Sequence, residues 1–369
     1  MRRQELKNIE WTILICAVVL TGIGLLALYS VSFNAEFSEL KKQAVWFGIS
    51  FIAMIVVALI DYEVSAKVSP IWYVFFCVLL LGVLFTVPVD GASRWFNLGA
   101  FTFQPAEFSK VFVILFTAFV MSKIQENGMN RINKIWWLLL VLLVAAIPIA
   151  LVIKEPDHGT ATAYIVALLF MLFAAGINKK YVITVLALGL ISVPLLYNYV
   201  LPDYAKTRID VFLNPELDPR GAGYNILQSK LAVGAGELIG MGILQGNQTQ
   251  LGYLYPKTTD FIFAAIGEEL GFIMTALIVI LYVFLITKAI YVAKTARDNL
   301  GSYIAAGIAG IFFFHMAENI GMTIGLMPIS GIPLPFISYG GSSLITSFVC
   351  VGLLLNISSK RQRTIFINK

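Results

Sequence analysis

Long apolar runs separated by short polar turns repeat along almost the whole chain. Ten of them read as helices, at about 12–32, 43–60, 68–87, 106–122, 135–153, 159–177, 182–200, 261–287, 302–326 and 341–357. Most approach the roughly 20 residues a helix needs to cross a hydrocarbon core, and none shows the short alternation of a membrane barrel strand. The fourth run is the weakest, because Glu107 and Lys110 interrupt it. The pattern fails on a large scale only between Leu201 and Asp260, where 60 residues are rich in Gly, Pro, Asn, Gln and charge. We therefore expect an all-α polytopic membrane protein, a single domain over 1–369 with about ten transmembrane helices and one large loop over 201–260. Within that loop Leu227, Leu231 and Leu238 recur at helix-compatible spacing, so it is expected to be structured, with an interfacial amphipathic piece over Asn225–Ile239.

Composition agrees, and charge adds direction. Hydrophobic residues make up 59% of the chain and charged ones 13%, against about 25% charged in a soluble domain. Sixteen Lys and Arg fall on the side of the two termini and four (Lys41, Lys42, Arg94, Lys154) on the short loops opposite. That asymmetry places both termini in the cytoplasm and the long loop outside. The net charge of +5 is mostly this excess, so it gives no ground for a nucleic-acid partner. The first run follows Arg2, Arg3 and Lys7 but is too long for a signal-peptide core, and is expected to stay as an anchor. Cys16, Cys77 and Cys350 lie inside apolar runs without pairing or metal spacing, and read as small lipid-facing or core residues.

Ionisable groups at membrane depth cost about 2.5–3.5 kcal/mol each on insertion scales, so those in or beside the runs are the candidates for chemistry. Asp260 closes the polar loop directly before Phe261 opens the next run. It reads either as that helix's N-cap or as a catalytic carboxylate at the seam of loop and membrane. Glu107 and Lys110 share a helix face after Pro105. They read as a local ion pair or, with Arg94, as a cationic site for an anionic lipid headgroup. Around Pro156, the residues Lys154, Glu155, Asp157 and His158 crowd one outward turn, where Asp157 is either a helix cap or part of the same polar cluster. Glu268 and Glu269 lie deeper in the helix after Asp260. His315, Glu318 and Asn319 fall on one face and read as inter-helix hydrogen bonding, with a proton or metal role as the alternative; two histidines in the chain are too few for a His-based zinc site. From Gly331 to Ser343, Pro333 and Pro335 forbid regular helix, while Gly340 and Gly341 permit close approach beside Ser338. Irregular backbone at that depth must be buried in protein or line a cavity, so a re-entrant wall is expected.

Several of these residues belong to an ordered set of motifs. It runs from Arg94-Trp95 through Gln104-Pro105-x-Glu107-x-x-Lys110 to Glu155-Pro156-Asp157-x-Gly159-Thr160. Asp218-Pro219-x-Gly221-x-Gly223-Tyr224, Gln228-Ser229, Thr259-Asp260-Phe261-Ile262-Phe263, Glu268-Glu269-Leu270-Gly271 and the run from Pro333 to Ser342 complete it. Each motif is weak alone, but the ordered set covers nearly the whole chain and resembles the SEDS family (shape, elongation, division and sporulation). Gln228-Ser229-Lys230 and the stretch from Gly246 to Leu251 are more similar to its elongation members than to its division members. His158 departs from the usual Leu, Glu237 from a common Gly, and Tyr255-Pro256-Lys257 from a Pro-Glu approach.

The resemblance implies a peptidoglycan glycosyltransferase of the bacterial cytoplasmic membrane, its active face extracytoplasmic, that polymerises lipid II and releases undecaprenyl pyrophosphate. By matching position Asp260 is the catalytic carboxylate, and Arg94, Glu107, Lys110 and Asp157 are the other functionally important polar residues. The same resemblance implies a class B penicillin-binding protein (a transpeptidase) and other elongation-complex membrane proteins as partners, and a divalent cation, Mg or Mn, with no ligands assigned. Two alternatives stand beside it: a flippase of lipid-linked precursors, which buried charges and broken helices also suit, and a non-catalytic scaffold for a transpeptidase.

Overall fold

Where the sequence is apolar the chain is helical. The structure, a computed structural model, describes residues 8–86, 93–97, 99, 102–200 and 203–361. Arg2, Arg3, Lys7, Arg363 and Lys369, and the edges of two predicted segments at Val87 and Leu201, lie outside the described residues. The elements are α1 (Trp11–Val31), α2 (Ser38–Leu59), α3 (Tyr62–Val83), β1 (Phe96–Asn97), β2 (Thr102–Phe103), α4 (Pro105–Gln125), α5 (Ile135–Lys154) and α6 (His158–Ala174). There follow α7 (Lys179–Leu195), α8 (Asp203–Leu213), α9 (Ala222–Ala235), α10 (Ile262–Thr295), α11 (Asn299–Thr323) and α12 (Gly341–Ser359). Among the described residues, seven helices (α1, α2, α3, α5, α10, α11 and α12) are long and apolar enough to cross a membrane. The remaining three predicted runs form α4, which carries Glu107 and Lys110, and the 17-residue helices α6 and α7. Ten is therefore an approximate count of spans.

Local chemistry sets several helix starts. Pro105 occupies the first turn of α4, where no N–H is needed. Aspartates cap three others: Asp61 accepts from Glu63 N at 3.0 Å, Asp157 from Thr160 N at 3.1 Å and Asp298 from Gly301 N at 2.8 Å. α12 packs along α2, α11 lies against α6 and α10, and α3 pairs with α4. Phe336 joins this core, 5.5 Å from the Phe312 ring and 5.4 Å from Phe348, the latter edge to face. Cys16 and Cys350 are buried and Cys77 is half-buried, all as free thiols. At one end of the bundle the two ends of the described chain meet: Glu10 N donates to Ser358 Oγ and Arg361 pairs with Glu10.

The eighth run departs from expectation. It reads as one span over 261–287, yet α10 continues to Thr295, and 34 residues of unbroken helix would reach about 51 Å across a core of about 30 Å. The helix breaks at Gly271, whose φ of 74° and ψ of −174° suit glycine alone. A stub, 262–270, therefore precedes a spanning helix over 272–295. Breaking a helix frees backbone groups that must find partners, and the long loop supplies them. Met241 N and Gly242 N donate to the carbonyls of Glu268 and Glu269 at 2.9 and 3.0 Å. Phe272 N and Ile273 N donate to those of Glu237 and Leu238 at 2.9 and 3.2 Å. The amphipathic piece expected over Asn225–Ile239 is helix α9, which ends four residues earlier, at Ala235, before this tie begins.

Candidate active site

At the other end of the bundle, four connections converge. Arg94, between α3 and α4, donates Nε to the Glu155 carbonyl at 3.3 Å and Nη2 to the Pro156 carbonyl. Gln104 Nε2 donates to Asp157 Oδ2 at 3.3 Å, so Asp157 both caps α6 and ties α4 to the turn beside Arg94. Arg208 on α8 donates Nη1 to the Ile329 carbonyl at 3.3 Å. These contacts bring Arg94, Asp157 and Arg208 close enough to Asp260 that each influences its titration.

Asp260 does not cap α10, which begins at Ile262 with Phe261 at its N-cap and no side-chain cap bond. Its backbone is clamped instead. Asn319 Nδ2 donates to its carbonyl at 3.0 Å and to that of Ile332 at 2.8 Å. Ser338 Oγ donates to the Thr259 carbonyl at 2.7 Å, and Tyr339 N to that of Thr258 at 2.9 Å. The segment through Pro333, Pro335 and Ser338 is thus buried, irregular and hydrogen-bonded to the residues that carry Asp260. Its far end is fixed by Gln43, which donates to the Ser338 carbonyl at 3.1 Å and accepts from Gly340 N at 3.1 Å. Gly341 faces the Trp46 ring so closely that a Cβ there would lie 2.6 Å from it. Burial pushes the half-buried Asp260 carboxyl above the ordinary aspartate range; the Thr259 hydrogen bond, Arg94 and Arg208 oppose this, and Asp157 adds to it.

Glu107 and Lys110 form the ion pair their spacing suggests, at 2.8 Å and only 3% and 2% exposed. Lys110 Nζ also lies 3.1 Å from His315 Nε2, while His315 Nδ1 lies 3.0 Å from the Pro333 carbonyl. A carbonyl can only accept, so Nδ1 carries the hydrogen and Nε2 receives one from the ammonium. Lys110 is therefore engaged by two protein groups and joined through His315 to the back of the wall. Glu268 and Glu269 likewise bind protein: Glu268 takes Gln248 and Thr249, and Glu269 takes Ser30 and Gln250.

Arg208 escapes a motif-based search for function, whereas Glu155 stands inside a motif that gives it no role. Arg208 lies in a loop helix with no pattern to mark it. Glu155 is wholly buried with both carboxyl oxygens unpartnered, and burial, reinforced by Asp157 and opposed by Arg94, raises its pKa to about 9. It is a neutral acid at pH 7. Because its folded pKa exceeds the ordinary 4.5, its burial carries no protonation cost below that value and a cost to stability that grows as pH rises toward 9. Glu155→Gln removes the cost of protonation and should stabilise the protein at pH 7 by roughly 3 kcal/mol. Thermal unfolding in detergent at pH 5 and pH 8 checks this: the gain should be larger at pH 8.

Among the described residues no three His, Cys, Asp or Glu side chains gather to hold a metal ion.

Fold and site define a polytopic helical membrane protein with a carboxylate and two guanidinium groups gathered at one end of the bundle. The cell cycle protein family model FtsW/RodA/SpoVE matches residues 10–363. The probable peptidoglycan glycosyltransferase FtsW of Trichlorobacter lovleyi is 38% identical, over 96% of this chain and 94% of that protein. The peptidoglycan glycosyltransferase MrdB of Escherichia coli K12 is 33% identical, over 96% and 95%. A chain of a peptidoglycan synthase complex, solved for the coordination of polymerization and crosslinking, shares the fold with a TM-score of 0.82 at 24% identity, covering 95% of this chain and 97% of that one. The rod shape determining protein RodA of Thermus thermophilus shares it with a TM-score of 0.71 at 23% identity, over 96% and 98%. The chain belongs to the FtsW/RodA/SpoVE family. Its activity is that of a glycosyltransferase in cell-wall synthesis.

Proposed function

We propose that this protein polymerises lipid II at the outer face of the bacterial cytoplasmic membrane. The acceptor's 4-hydroxyl oxygen forms the new bond to the donor's anomeric carbon, and the bond from that carbon to undecaprenyl pyrophosphate breaks. The leaving pyrophosphate takes the electron pair and the hydroxyl proton passes to Asp260. An α-linked donor and a β-linked product require one inverting displacement, with base and leaving group on opposite faces of the sugar. The observation that carries this is the half-buried Asp260 carboxylate, clamped through its own backbone beside Arg94 and Arg208. A raised pKa makes it a stronger base, and guanidinium groups are suited to bidentate phosphate contacts. Lys110 and Glu107 support the wall from behind through His315 and Pro333. The related synthase complex supports a further proposal, that a crosslinking transpeptidase of the class B penicillin-binding type is this chain's partner.

Purified protein given lipid II should form glycan strands and release undecaprenyl pyrophosphate; movement of lipid II across vesicles without new glycosidic bonds would instead identify a transporter. Arg94→Gln should slow the reaction and move the acid limb of its pH profile to higher pH. Arg94 is one of the charges that lower the Asp260 pKa, so its loss lets burial raise that pKa further. An acid limb that stays in place removes Arg94 from the electrostatics of Asp260.

A further inference from the structure

The stub over 262–270 is the one piece of helix that carries Asp260 at its leading end, and Gly271 detaches it from the spanning helix behind. Something else must hold it. The wall grips the residues just before it, through Thr258, Thr259 and Asp260. At its other end, two adjacent carboxylates face into the long loop. Glu268, wholly buried, accepts from Gln248 N at 2.6 Å, Thr249 N at 2.9 Å and Thr249 Oγ1 at 2.6 Å. Those donors open the single helical turn Asn247–Gln250. Glu269 accepts from Gln250 Nε2 at 2.8 Å and from Ser30 Oγ at 2.7 Å, which brings in the end of α1. The same turn reaches back toward Asp260, since Lys257 Nζ donates to the Thr249 carbonyl at 2.8 Å. The fit is close: a Cβ on Gly246 would lie 2.6 Å from Glu268 Oε2.

We infer that Glu268 is a positioning residue for the glycosyl-transfer site. Its carboxylate locks the turn Asn247–Gln250 onto the stub, so that the loop sets where Asp260 stands relative to the acceptor hydroxyl. Glu269 secures the same turn to α1. The stub behaves as a short lever between the glycine break and the wall, and its placement is decided by the loop rather than by the spanning helix. This inference rests on Asp260 being the base.

Charge-assisted hydrogen bonds to a buried carboxylate are about twice as strong as neutral ones, and Glu268 makes three. Glu268→Gln replaces one accepting oxygen by a donor and must break at least one of them. Thr249→Val removes the hydroxyl bond from the opposite side and keeps both carboxylate oxygens. A misplacement of about 1 Å at a reacting group can cost about 100-fold in rate. We expect Glu268→Gln to lower kcat about tenfold or more, and Thr249→Val by a smaller factor, with KM for lipid II held within about twofold.

The test is steady-state polymerisation by purified, monodisperse protein, with thermal unfolding measured on the same samples. A purely packing role would lower the unfolding temperature and leave kcat per folded molecule intact. Unchanged kcat in both variants, or a raised KM with kcat intact, overturns the inference. Should Glu268→Gln fail to fold, Thr249→Val decides alone. Asp260→Asn is run alongside: if it remains active, the base assignment itself has failed, whereas an inactive Asp260→Asn beside fully active Glu268→Gln and Thr249→Val defeats only the positioning role.

Discussion

Asp260→Asn should yield a folded, membrane-inserted protein that still binds lipid II but forms glycan about 10²–10⁴-fold more slowly, the usual contribution of a positioned general base. The substitution keeps shape and size. It also removes a group whose ionisation is disfavoured by burial, so stability should hold or rise slightly. The backbone contacts from Asn319 and Ser338 use main-chain carbonyls and survive the change. The loss should therefore fall on kcat with little change in KM, the signature of an interaction made mainly in the transition state. Gel analysis of glycan products, with unfolding temperature as the control for folding, checks both halves.

Breaking the ion pair behind the wall should have the largest effect on stability. Lys110→Met leaves Glu107 buried without its ammonium partner and His315 Nε2 without its donor. Removing one member of a buried pair costs about 3–5 kcal/mol, whereas replacing both by apolar groups of similar volume is often neutral. Lys110→Met should therefore unfold at a markedly lower temperature, and Lys110→Met with Glu107→Leu should recover most of that loss. Activity should not recover in parallel, because His315 and Pro333 have still lost their anchor. Full recovery of activity in the double variant would limit the pair to charge neutralisation for membrane insertion.

Much of this architecture is legible in the sequence because a bilayer allows so few solutions. Helical runs of sufficient length and the polar turns between them follow from the cost of exposing charge and unpaired backbone to lipid. The Glu107–Lys110 pair and the wall through Pro333 and Pro335 were visible for the same reason: spacing decides the first and proline chemistry the second. What hydropathy does not reveal is how the polar groups are partnered. Gly271 sits inside an apolar run and looks unremarkable, since the groups its break exposes are satisfied by Glu237, Leu238, Met241 and Gly242, some 30 residues earlier. Arg208 reaches the site only because α8 folds back onto the connection at Ile329. Whether Asp260 caps α10 depends on where that helix starts, a matter of one or two residues that no local pattern decides.

The most direct test of Asp260 as the base is the initial rate of lipid II polymerisation by the wild-type protein as a function of pH. Because burial raises this carboxyl above the ordinary aspartate value of 3.8, the rate should fall on the acid side through an apparent pKa higher than that value. A rate that stays level down through the ordinary carboxylate range would contradict Asp260 as the base.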